Sequence, residues 1–532
     1  MRCFFSIVVL FLTMILSAQK EFHVFPMDGK AIKGSPNGDG SITNPWDLQT
    51  ALSQSSTYVN GGDTIWLHEG IYTGNYISTL EATEKHGYIT VSAYKNAKVI
   101  INGNIENKMY YVLEVSGGRV IFKNLEITFL GNFSRTKSTK GFKAVTGVNH
   151  TKGEDCKFQS LIIHNIPGSG FGSWKATGGT SIEDCIIYNN GYQGGRGQGV
   201  GIYVQNESEK TRVLKNNIIF NNYYKGIEVW SATSGTEREF VKNVDITNNV
   251  IFNNGSPSGR PWSNLIVASG DQDGVNVANN ITIKNNVFYH NTDFKDTKNF
   301  GHGNSITLGY TSKALVEDIS ITDNFIIGRN NALNILHAKS LELKNNIIYT
   351  GYVHFEKSTL EALRTGGMTF SNNSYHTRKI AGLRILKHRD YKLSDWSKRF
   401  NLDADSQWKS LKAFEVDPVL KIEKLNSKPN HFNVVLLEKE GKDVMVDFSQ
   451  LNIGKEASYK IYDIENITVV IKSGRLSEEA KVKFPMGTSE FEKPLHNAKA
   501  SKSANNFGVY RIVFEETKNK EGFLKRFFGW LF

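Results

Sequence analysis

The chain has 532 residues, of which 39% are hydrophobic and 22% charged, so it is too long for one small domain and too apolar to be disordered. Its 48 glycines stand beside only 10 prolines, a balance that fits many tight turns and excludes a collagen or linker composition. Lys and Arg outnumber Asp and Glu by 63 to 52, which gives a net charge of +11. These values favour a large, basic, turn-rich β protein.

An apolar run from Phe4 to Leu16 follows Arg2 and ends at the small residues Ser17 and Ala18. This pattern predicts a secretory signal peptide over residues 1–18. No later stretch approaches the roughly 20 apolar residues that cross a bilayer, so we expect a protein without a transmembrane segment. We also expect it to be exported, to the periplasm or beyond, and to act as a monomer. On an exported protein the positive charge favours anionic partners such as uronate-containing or sulfated polysaccharides, and nucleic acid is not expected.

A short phrase of paired asparagines, a β-branched run and a closing Asn or Gly recurs through the middle of the chain. Its copies align at Cys185, Asn217, Asn249, Asn286, Asn324, Asn346 and Asn373. The spacing varies from 22 to 38 residues, whereas a β-propeller needs a nearly constant period of about 40 residues. Fixed units with insertions between them predict an all-β fold, a right-handed parallel β-helix over residues 19–379, with these residues stacked along one corner. In this register Leu161, and not Cys156, lies above Cys185, so a disulfide between the two cysteines is not expected.

A second strand follows each copy of the phrase, and its side chains alternate between the core and the outside. The predicted inward residues are Phe171, Ile202, Val204, Ile227, Val229, Leu265, Val267, Ile306, Leu308, Leu333 and Ile335. Three successive coils then present polar and aromatic residues outward, namely Trp174, Tyr203 with Gln205, and Glu228 with Trp230. We expect a binding face there.

The two ends depart from the repeat. Residues 44–53 predict a short amphipathic helix that caps the open end of the β-helix. A charged connecting segment spans 380–430, and alternating strands over 431–515 predict a small antiparallel β domain. The tail 516–532 is basic and aromatic, which suits a helix docked on that domain or contact with a membrane surface.

Three segments resemble secreted bacterial right-handed parallel β-helix proteins of the pectate-lyase-like, polysaccharide-active superfamily. They are GSPNGDGSITNPWDLQTAL with the later GDTIWLHEGIYTG, NNGYQGGRGQGVGIYVQN, and the C-terminal series HFNVVLL, VMVDFSQL, YKIYDIEN and KFPMG. The resemblance covers nearly the whole chain after the signal peptide, and it implies the β-helix fold. That architecture carries lyases, hydrolases, epimerases and binding proteins, so the activity has to be argued from the outward face. Gln198 and Val200 stand where the similar proteins carry histidines, which argues against a histidine-centred chemistry at this loop.

Elimination from a uronate requires a group that neutralises the carboxylate, a base that removes the neighbouring proton, and an acid that protonates the leaving oxygen. We assign the first role to Arg196, which lies in a Gly-rich loop before the Tyr203 strand. Lys175 and Lys225 are the candidate bases, and Tyr203 is the candidate acid or shared acid and base. Glu228 completes the catalytic group, where it orients sugar hydroxyls. The predicted activity is that of a carbon–oxygen lyase, either a chain-cleaving lyase or a terminal-uronate dehydratase.

The substrate-binding residues predicted on the same face are Trp174, Gln205, Asn206, Trp230 and, more remotely, His302. Two alternatives remain open, a glycoside hydrolase and a non-catalytic glycan-binding protein. The segments NTD at Asn291 and GHG at Gly301 resemble parts of a hydrolase signature but lack a pair of acids on adjacent coils. The sequence assigns no definite cofactor, although Asp271 and Asp273 in one polar loop suit a hard cation such as calcium.

Overall fold

The computed structural model describes residues 19–104, 110–194, 197–298, 303–454, 456–496 and 500–515. Within these residues, three sheets of twelve strands each run along the molecule, and the chain visits them in the same order in every coil. Strands of successive coils pair in parallel and in register, so the inward side chains of all three sheets form one continuous core. The predicted parallel β-helix is confirmed.

Within each sheet, the strands pair in the order in which they occur along the chain. The first sheet contains Glu21–Val24, Thr64–Leu67, Ile89–Ala93, Val120–Lys123, Lys157–Gln159, Ser181–Glu183, Arg212–Lys215, Val241–Thr247, Ala278–Lys284, Glu317–Thr322, Leu341–Lys344 and Met368–Ser371. The second sheet contains Gly70–Thr73, Val99–Asn102, Glu126–Thr128, Ile162–His164, Ile186–Tyr188, Ile218–Phe220, Val250–Phe252, Val287–Tyr289, Phe325–Ile327, Ile347–Thr350, Ser374–Thr377 and Gln407–Ser410. The third sheet contains Tyr76–Ser78, Tyr111–Val115, Thr146–His150, Phe171–Ser173, Ile202–Val204, Ile227–Ser231, Leu265–Ser269, Ile306–Leu308, Leu333–Ile335, Val353–Phe355, Leu383–Ile385 and Arg389–Tyr391, of which the last is antiparallel.

The predicted asparagine stack lies at the corner between the first and second sheets. Each buried side chain accepts two hydrogen bonds from its neighbour in the preceding coil. Asn217, for example, donates its backbone N–H to Asn249 Oδ1 at 2.9 Å and its Nδ2 to the same oxygen at 3.0 Å. The same pairing continues through Asn286, Asn324, Asn346 and Asn373. The residue before each of them has a positive φ, which Asn and Asp tolerate better than other non-glycine residues.

A second asparagine stack, which the repeat did not predict, lies between the second and third sheets. In this stack each Nδ2 donates a hydrogen bond to the Oδ1 of the next asparagine at 2.9–3.0 Å, in the order Asn190, Asn222, Asn254 and Asn264. Glycines start the adjoining strands because the amides leave no room for a side chain. A Cβ atom on Gly201 would lie 2.9 Å from Asn222 Nδ2 and 2.6 Å from the Gly226 carbonyl oxygen.

Substitution of one rung should measure how much the first stack stabilises the fold. Asn249→Leu removes an oxygen that accepts from two buried donors of Asn217, and each unsatisfied buried group costs about 1–3 kcal/mol. We therefore expect urea unfolding to show a loss of roughly 2–6 kcal/mol. The control is Asn285→Gly, which keeps a residue suited to φ 54° and removes only an exposed hydrogen bond. Equal losses in the two variants would contradict this account of the corner.

The predicted N-terminal cap is confirmed as the helix Leu48–Leu52, which begins at the N-cap Asp47. Its Leu48, Ala51 and Leu52 are buried in the core, and the coil predicted to follow starts at Thr64–Leu67. A 3-10 turn at Glu84–His86 lies in the next coil, and a further 3-10 turn is Ser256–Ser258.

The far end of the β-helix differs from the predicted boundary at residue 379. Part of the charged segment forms the last strands of the second and third sheets, and the helix Leu393–Phe400 then covers the core with Trp396 and Phe400. The asparagine stack ends at Asn373, which donates its Nδ2 proton to Asp403 and its backbone N–H to Ser406, and Asp403 also accepts the hydroxyl of Tyr375. A smaller helix, Leu360–Thr365, is preceded by the 3-10 turn Lys357–Thr359.

The C-terminal domain is antiparallel, as predicted, but begins at Val419 and so lies partly within the predicted connecting segment. Its five-stranded sheet has the order Val419–Lys424, His431–Leu437, Phe507–Glu515, Ser458–Asp463 and Val470–Arg475, and a separate two-stranded antiparallel sheet pairs Val444–Asp447 with Lys481–Phe484. Two 3-10 turns, Leu411–Ala413 and Ile464–Asn466, lie beside this domain.

The C-terminal domain packs on the outer face of the second sheet. There the rings of Tyr188, Phe220 and Phe252 stack at 4.8–4.9 Å, and Phe507 of the domain stacks on Tyr289 at 4.0 Å. Residues of both units form one buried apolar cluster. The second sheet is therefore covered on both faces, whereas the third sheet carries the outward row that the repeat predicted.

Two smaller predictions concern the cysteines and the membrane. Cys156 and Cys185 are buried free thiols, and Leu161 occupies the position of Cys185 in the preceding coil, as predicted. Among the residues described, no helix is long and apolar enough to cross a bilayer. The predicted signal peptide and the basic tail lie outside the described residues.

Candidate functional site on the third sheet

The outer face of the third sheet carries a continuous row of side chains in register. Tyr203 pairs with Glu228, Glu228 with Ile266, and Ile266 with Thr307, so the four side chains follow one another along the floor of the face. The alternation predicted for these strands is confirmed, because their other residues point into the core. The row lies at the middle of the β-helix, where each of its strands is hydrogen-bonded to a strand of the preceding coil and to one of the following coil.

A cleft of about 460 Å³, which we name the third-sheet cleft, lies over this row. Its floor consists of the four residues Tyr203, Glu228, Ile266 and Thr307. Residues that precede the strands form one side, namely Tyr224, Lys225, Trp262 and Ser263. The other side consists of Trp230, near the end of its strand, and Tyr310, which follows its strand. The volume lies within the usual range for small-molecule sites, and aromatic sides with a polar floor suit the two faces of a sugar ring.

Lys225 and Glu228 form an ion pair at one end of the floor. Their side chains are only 9% and 13% exposed, and the ammonium also lies 4.2 Å from the centre of the Tyr224 ring. In a mostly buried ion pair, the attraction between the two charges offsets part of the desolvation cost of each. The pair thus places an ionised carboxylate and an ammonium side by side at the edge of the cleft.

Tyr203 is the phenol of the floor. Its hydroxyl accepts a hydrogen bond from Gln205 Nε2 at 2.9 Å, and its ring lies 5.2 Å from that of Trp174. Burial, together with the negative charge of Glu228, raises the pKa of Tyr203 to about 12. The phenol therefore keeps its proton at neutral pH.

The structure brings some of the predicted site residues together and separates others. Tyr203, Lys225, Glu228 and Trp230 line the third-sheet cleft. Gln205 holds the Tyr203 hydroxyl from beside the cleft, and Trp174, which is 40% exposed, donates its Nε1 proton to Asn149 Oδ1 at 2.8 Å. These two residues extend the same face toward the N-terminal end.

Lys175 and Asn206 do not reach the cleft. The ammonium of Lys175 lies 4.1 Å from the centre of the Phe240 ring. Asn206 is fully buried, and its Nδ2 donates to the carbonyl oxygens of Lys210 and Lys242 at 3.0 and 2.9 Å. Its assignment as a sugar contact is corrected to a role in the corner between the third and first sheets.

Two predicted residues, Arg196 and His302, lie outside the described residues. In the sequence, Arg196 falls between the paired strands Tyr192–Gln193 and Gly197–Gln198, and Gln198 lines the cleft. The carboxylate-neutralising role of Arg196 and the binding role of His302 stay predictions.

The two aspartates predicted as cation ligands hold loops together. Asp271 is fully buried and accepts the backbone N–H of Val275 at 2.9 Å. Asp273 accepts the backbone N–H of Gly235 at 2.7 Å and the hydroxyl of Ser234 at 3.1 Å. No group of three or more His, Cys, Asp or Glu side chains suited to a metal ion occurs in the described part of the chain. The calcium site is untested and stays a prediction.

Sequence reasoning missed two of the aromatic residues that form the sides of the cleft. Trp262 lies in the loop before the strand that starts at Leu265, and Tyr310 follows the strand that ends at Leu308. Tyr310 meets Trp230 edge-on, with the ring centres 4.9 Å apart. A usable signal was present, because both residues are large aromatics within three residues of a predicted third-sheet strand.

A second cluster of titratable residues lies where the second sheet meets the C-terminal domain. His164 is 3.1 Å from Glu126 of the β-helix through Nε2 and 3.1 Å from Glu492 of the domain through Nδ1. Burial opposes a charge on the ring, but the two carboxylates raise the pKa of His164 to about 9. Tyr188 donates its hydroxyl to Glu492 at 2.5 Å. Each of these groups contacts another member of the cluster. We therefore interpret the cluster as a structural contact that holds the C-terminal domain on the second sheet, and we name it the latch.

Comparison with known proteins gives matches among solved structures alone. Neither protein-family models nor curated proteins match the chain. A rhamnogalacturonan lyase is 13% identical with a TM-score of 0.40, over 70% of this chain and 86% of that one. A lacto-N-biosidase from Eubacterium ramulus is 13% identical with a TM-score of 0.44, over 74% and 67%.

A surface adhesin of Streptococcus pneumoniae is 12% identical with a TM-score of 0.44, over 70% of this chain and 90% of that one. A lyase, a glycosidase and an adhesin thus stand side by side among the similar structures. At these identities and TM-scores the similarities carry no argument about activity. The function has to be argued from the third-sheet cleft itself.

Proposed function

We propose that the protein is a lyase that binds a uronate-containing acidic glycan in the third-sheet cleft and breaks a carbon–oxygen bond by β-elimination. The observation that carries the proposal is the row of Tyr203 and Glu228, with Lys225 beside it, in a cleft with aromatic sides. A phenol, a carboxylate and an ammonium supply the acid, the base and the positive charge that the reaction needs. The net charge of +11 favours an anionic substrate.

The composition of the cleft favours elimination over hydrolysis. Glycoside hydrolases of the usual kind need two carboxyl groups on either side of the bond they cleave. Among the described residues that line the third-sheet cleft, Glu228 is the single carboxylate, and Lys225 neutralises it. With one carboxylate and one ammonium, the cleft suits a substrate that carries its own carboxylate. It lacks the second acidic side chain that the usual hydrolysis needs, among the described residues that line it.

Tyr203 is assigned the role of general acid. Its raised pKa keeps the proton on the phenol until the leaving oxygen develops negative charge. Trp230 and Tyr310 are assigned the role of stacking surfaces for sugar rings, since their apolar faces border the cleft. Export of the chain, predicted from its N-terminal apolar run, would bring this cleft to extracellular or periplasmic polysaccharide.

The decisive experiment incubates the protein with alginate, pectin, ulvan and glycosaminoglycans and follows ultraviolet absorbance and reducing ends. We expect absorbance to rise with at least one uronate polymer, because only elimination creates a conjugated unsaturated uronate. Mass spectrometry of the products separates chain cleavage from loss of water at a terminal uronate. Reducing ends without absorbance would favour a hydrolase, and binding without either signal would favour a glycan-binding protein.

A further inference from the structure

The acid and the base of the proposed elimination lie on the same side of the cleft. Tyr203 and Glu228 occupy paired positions on adjacent parallel strands, and both side chains point outward from the third sheet. Adjacent strands are about 4.8 Å apart, so the two side chains rise next to each other from one surface. A sugar ring bound above them therefore meets both groups with the same face.

This placement restricts the stereochemistry of the elimination. The base takes the hydrogen on C5 of the uronate, and the acid protonates the oxygen that leaves C4. When both groups approach from one face, the C5 hydrogen and the C4 oxygen must also lie on one face of the ring. They do so in D-glucuronate and D-mannuronate, and they lie on opposite faces in D-galacturonate, L-guluronate and L-iduronate.

We propose, on the basis of the lyase function proposed for this cleft, that the third-sheet cleft performs a syn elimination and therefore acts on 4-linked uronates of the gluco or manno configuration. The Glu228 carboxylate takes the C5 proton, and the electron pair of that bond becomes the C4–C5 double bond. The C4–O bond breaks, and the departing oxygen takes the proton of the Tyr203 hydroxyl. The products are an unsaturated uronate and a free hydroxyl group, and no other reactant is needed.

The same adjacency restores the site after each turnover. The reaction leaves Glu228 protonated beside the phenolate of Tyr203, and the proton passes back between these neighbours. The negative charge of Glu228 is one cause of the raised pKa of Tyr203, after burial. Once Glu228 accepts the C5 proton, that charge is gone and Tyr203 becomes the stronger acid that the leaving oxygen needs.

Lys225 responds to the same event. In the resting site its ammonium is paired with the Glu228 carboxylate. When that carboxylate becomes neutral, the ammonium is left facing the cleft while negative charge grows on the carboxylate of the substrate. The Lys225 ammonium is therefore free to stabilise the substrate carboxylate at the step in which the C5 proton leaves.

Polymers that differ only at C5 of the uronate provide the test. We would compare polymannuronate with polyguluronate, and glucuronate-containing chondroitin with iduronate-containing dermatan, by initial rates of ultraviolet absorbance. Polygalacturonate serves as the C4-epimeric substrate. We expect the manno or gluco member of at least one pair to react on the order of 100-fold faster than its epimer, a difference of about 2.7 kcal/mol in barrier.

The outcomes separate this inference from the function on which it rests. Preferred cleavage of polyguluronate, dermatan or polygalacturonate would overturn the syn geometry and leave a lyase. Absorbance with none of these five polymers and none of the other uronate glycans of the first experiment would overturn both. In the favourable case, Glu228→Gln should lose about 100-fold in turnover, with the melting temperature reporting on its fold. Retention of the rate in that variant would overturn the assigned base.

Discussion

Tyr203→Phe should lower turnover on the preferred uronate glycan by a factor on the order of 100 or more while leaving the Michaelis constant within a few-fold of the wild-type value. The substitution keeps the ring that packs beside Trp174 and removes only the hydroxyl that accepts from Gln205. A proton donor acts in the transition state, so its loss appears in the rate. Initial rates of unsaturated-uronate formation, together with the melting temperature, check the expectation.

Two variants make the result interpretable. Tyr58→Phe removes an exposed phenol of the N-terminal cap and should leave the rate unchanged. Trp230→Ala should do the reverse of Tyr203→Phe, since a stacking surface contributes to binding in the ground state as well as in the transition state. Wild-type turnover in Tyr203→Phe would remove this residue from the mechanism and the third-sheet cleft with it.

Raising the pH from about 6.5 to 9 should weaken the attachment of the C-terminal domain, because in that interval unfolding releases the proton of His164 and a higher pH favours that release. The pKa of His164 is about 9 in the folded protein and about 6.5 in an unfolded chain. A pKa raised by folding stabilises the protein fully below the unfolded value, and this contribution is lost as the pH rises through the folded value. The shift corresponds to at most about 3 kcal/mol.

His164→Gln isolates this contribution, since glutamine keeps a donor and an acceptor without a titratable charge. Urea unfolding at pH 6 should show the variant less stable than the wild type by up to about 3 kcal/mol, and the difference should shrink toward zero near pH 10. His290→Gln is the matched control, because burial lowers the pKa of His290 to about 4 and the ring is neutral throughout. A difference for His164→Gln that is constant with pH would refute the latch.

The regular part of the fold was predictable from the sequence. The asparagine before the second-sheet strand is repeated, buried and hydrogen-bonded in the same way in the coils from Asn217 to Asn346, so it leaves a strong pattern. The outward positions of Tyr203, Glu228 and Trp230 followed from simple alternation within the third-sheet strands. For these residues, the local sequence pattern alone predicts the position that the side chain has in the fold.

The docking of the C-terminal domain was not predicted, although its signal was present. The strands Ile186–Tyr188, Ile218–Phe220 and Val250–Phe252 are apolar at every position, which indicates burial on both faces. The latch between His164 and Glu492 left no such signal, because its members lie 328 residues apart and follow no period. The loops that place Trp262 and Tyr310 beside the cleft were missed for the same reason.

The stacked rings beneath the C-terminal domain also constrain the order in which the chain reaches its final state. Phe507–Glu515 is the central strand of the domain's five-stranded sheet and is among the last described residues to leave the ribosome. Until that strand arrives, the coils already formed expose the rings of Tyr188, Phe220 and Phe252 to water. Such an exposed apolar surface is prone to aggregate at ordinary concentrations. We therefore expect the growing chain to depend on a holding factor, or on a delay in coil formation, until the C-terminal domain covers the second sheet.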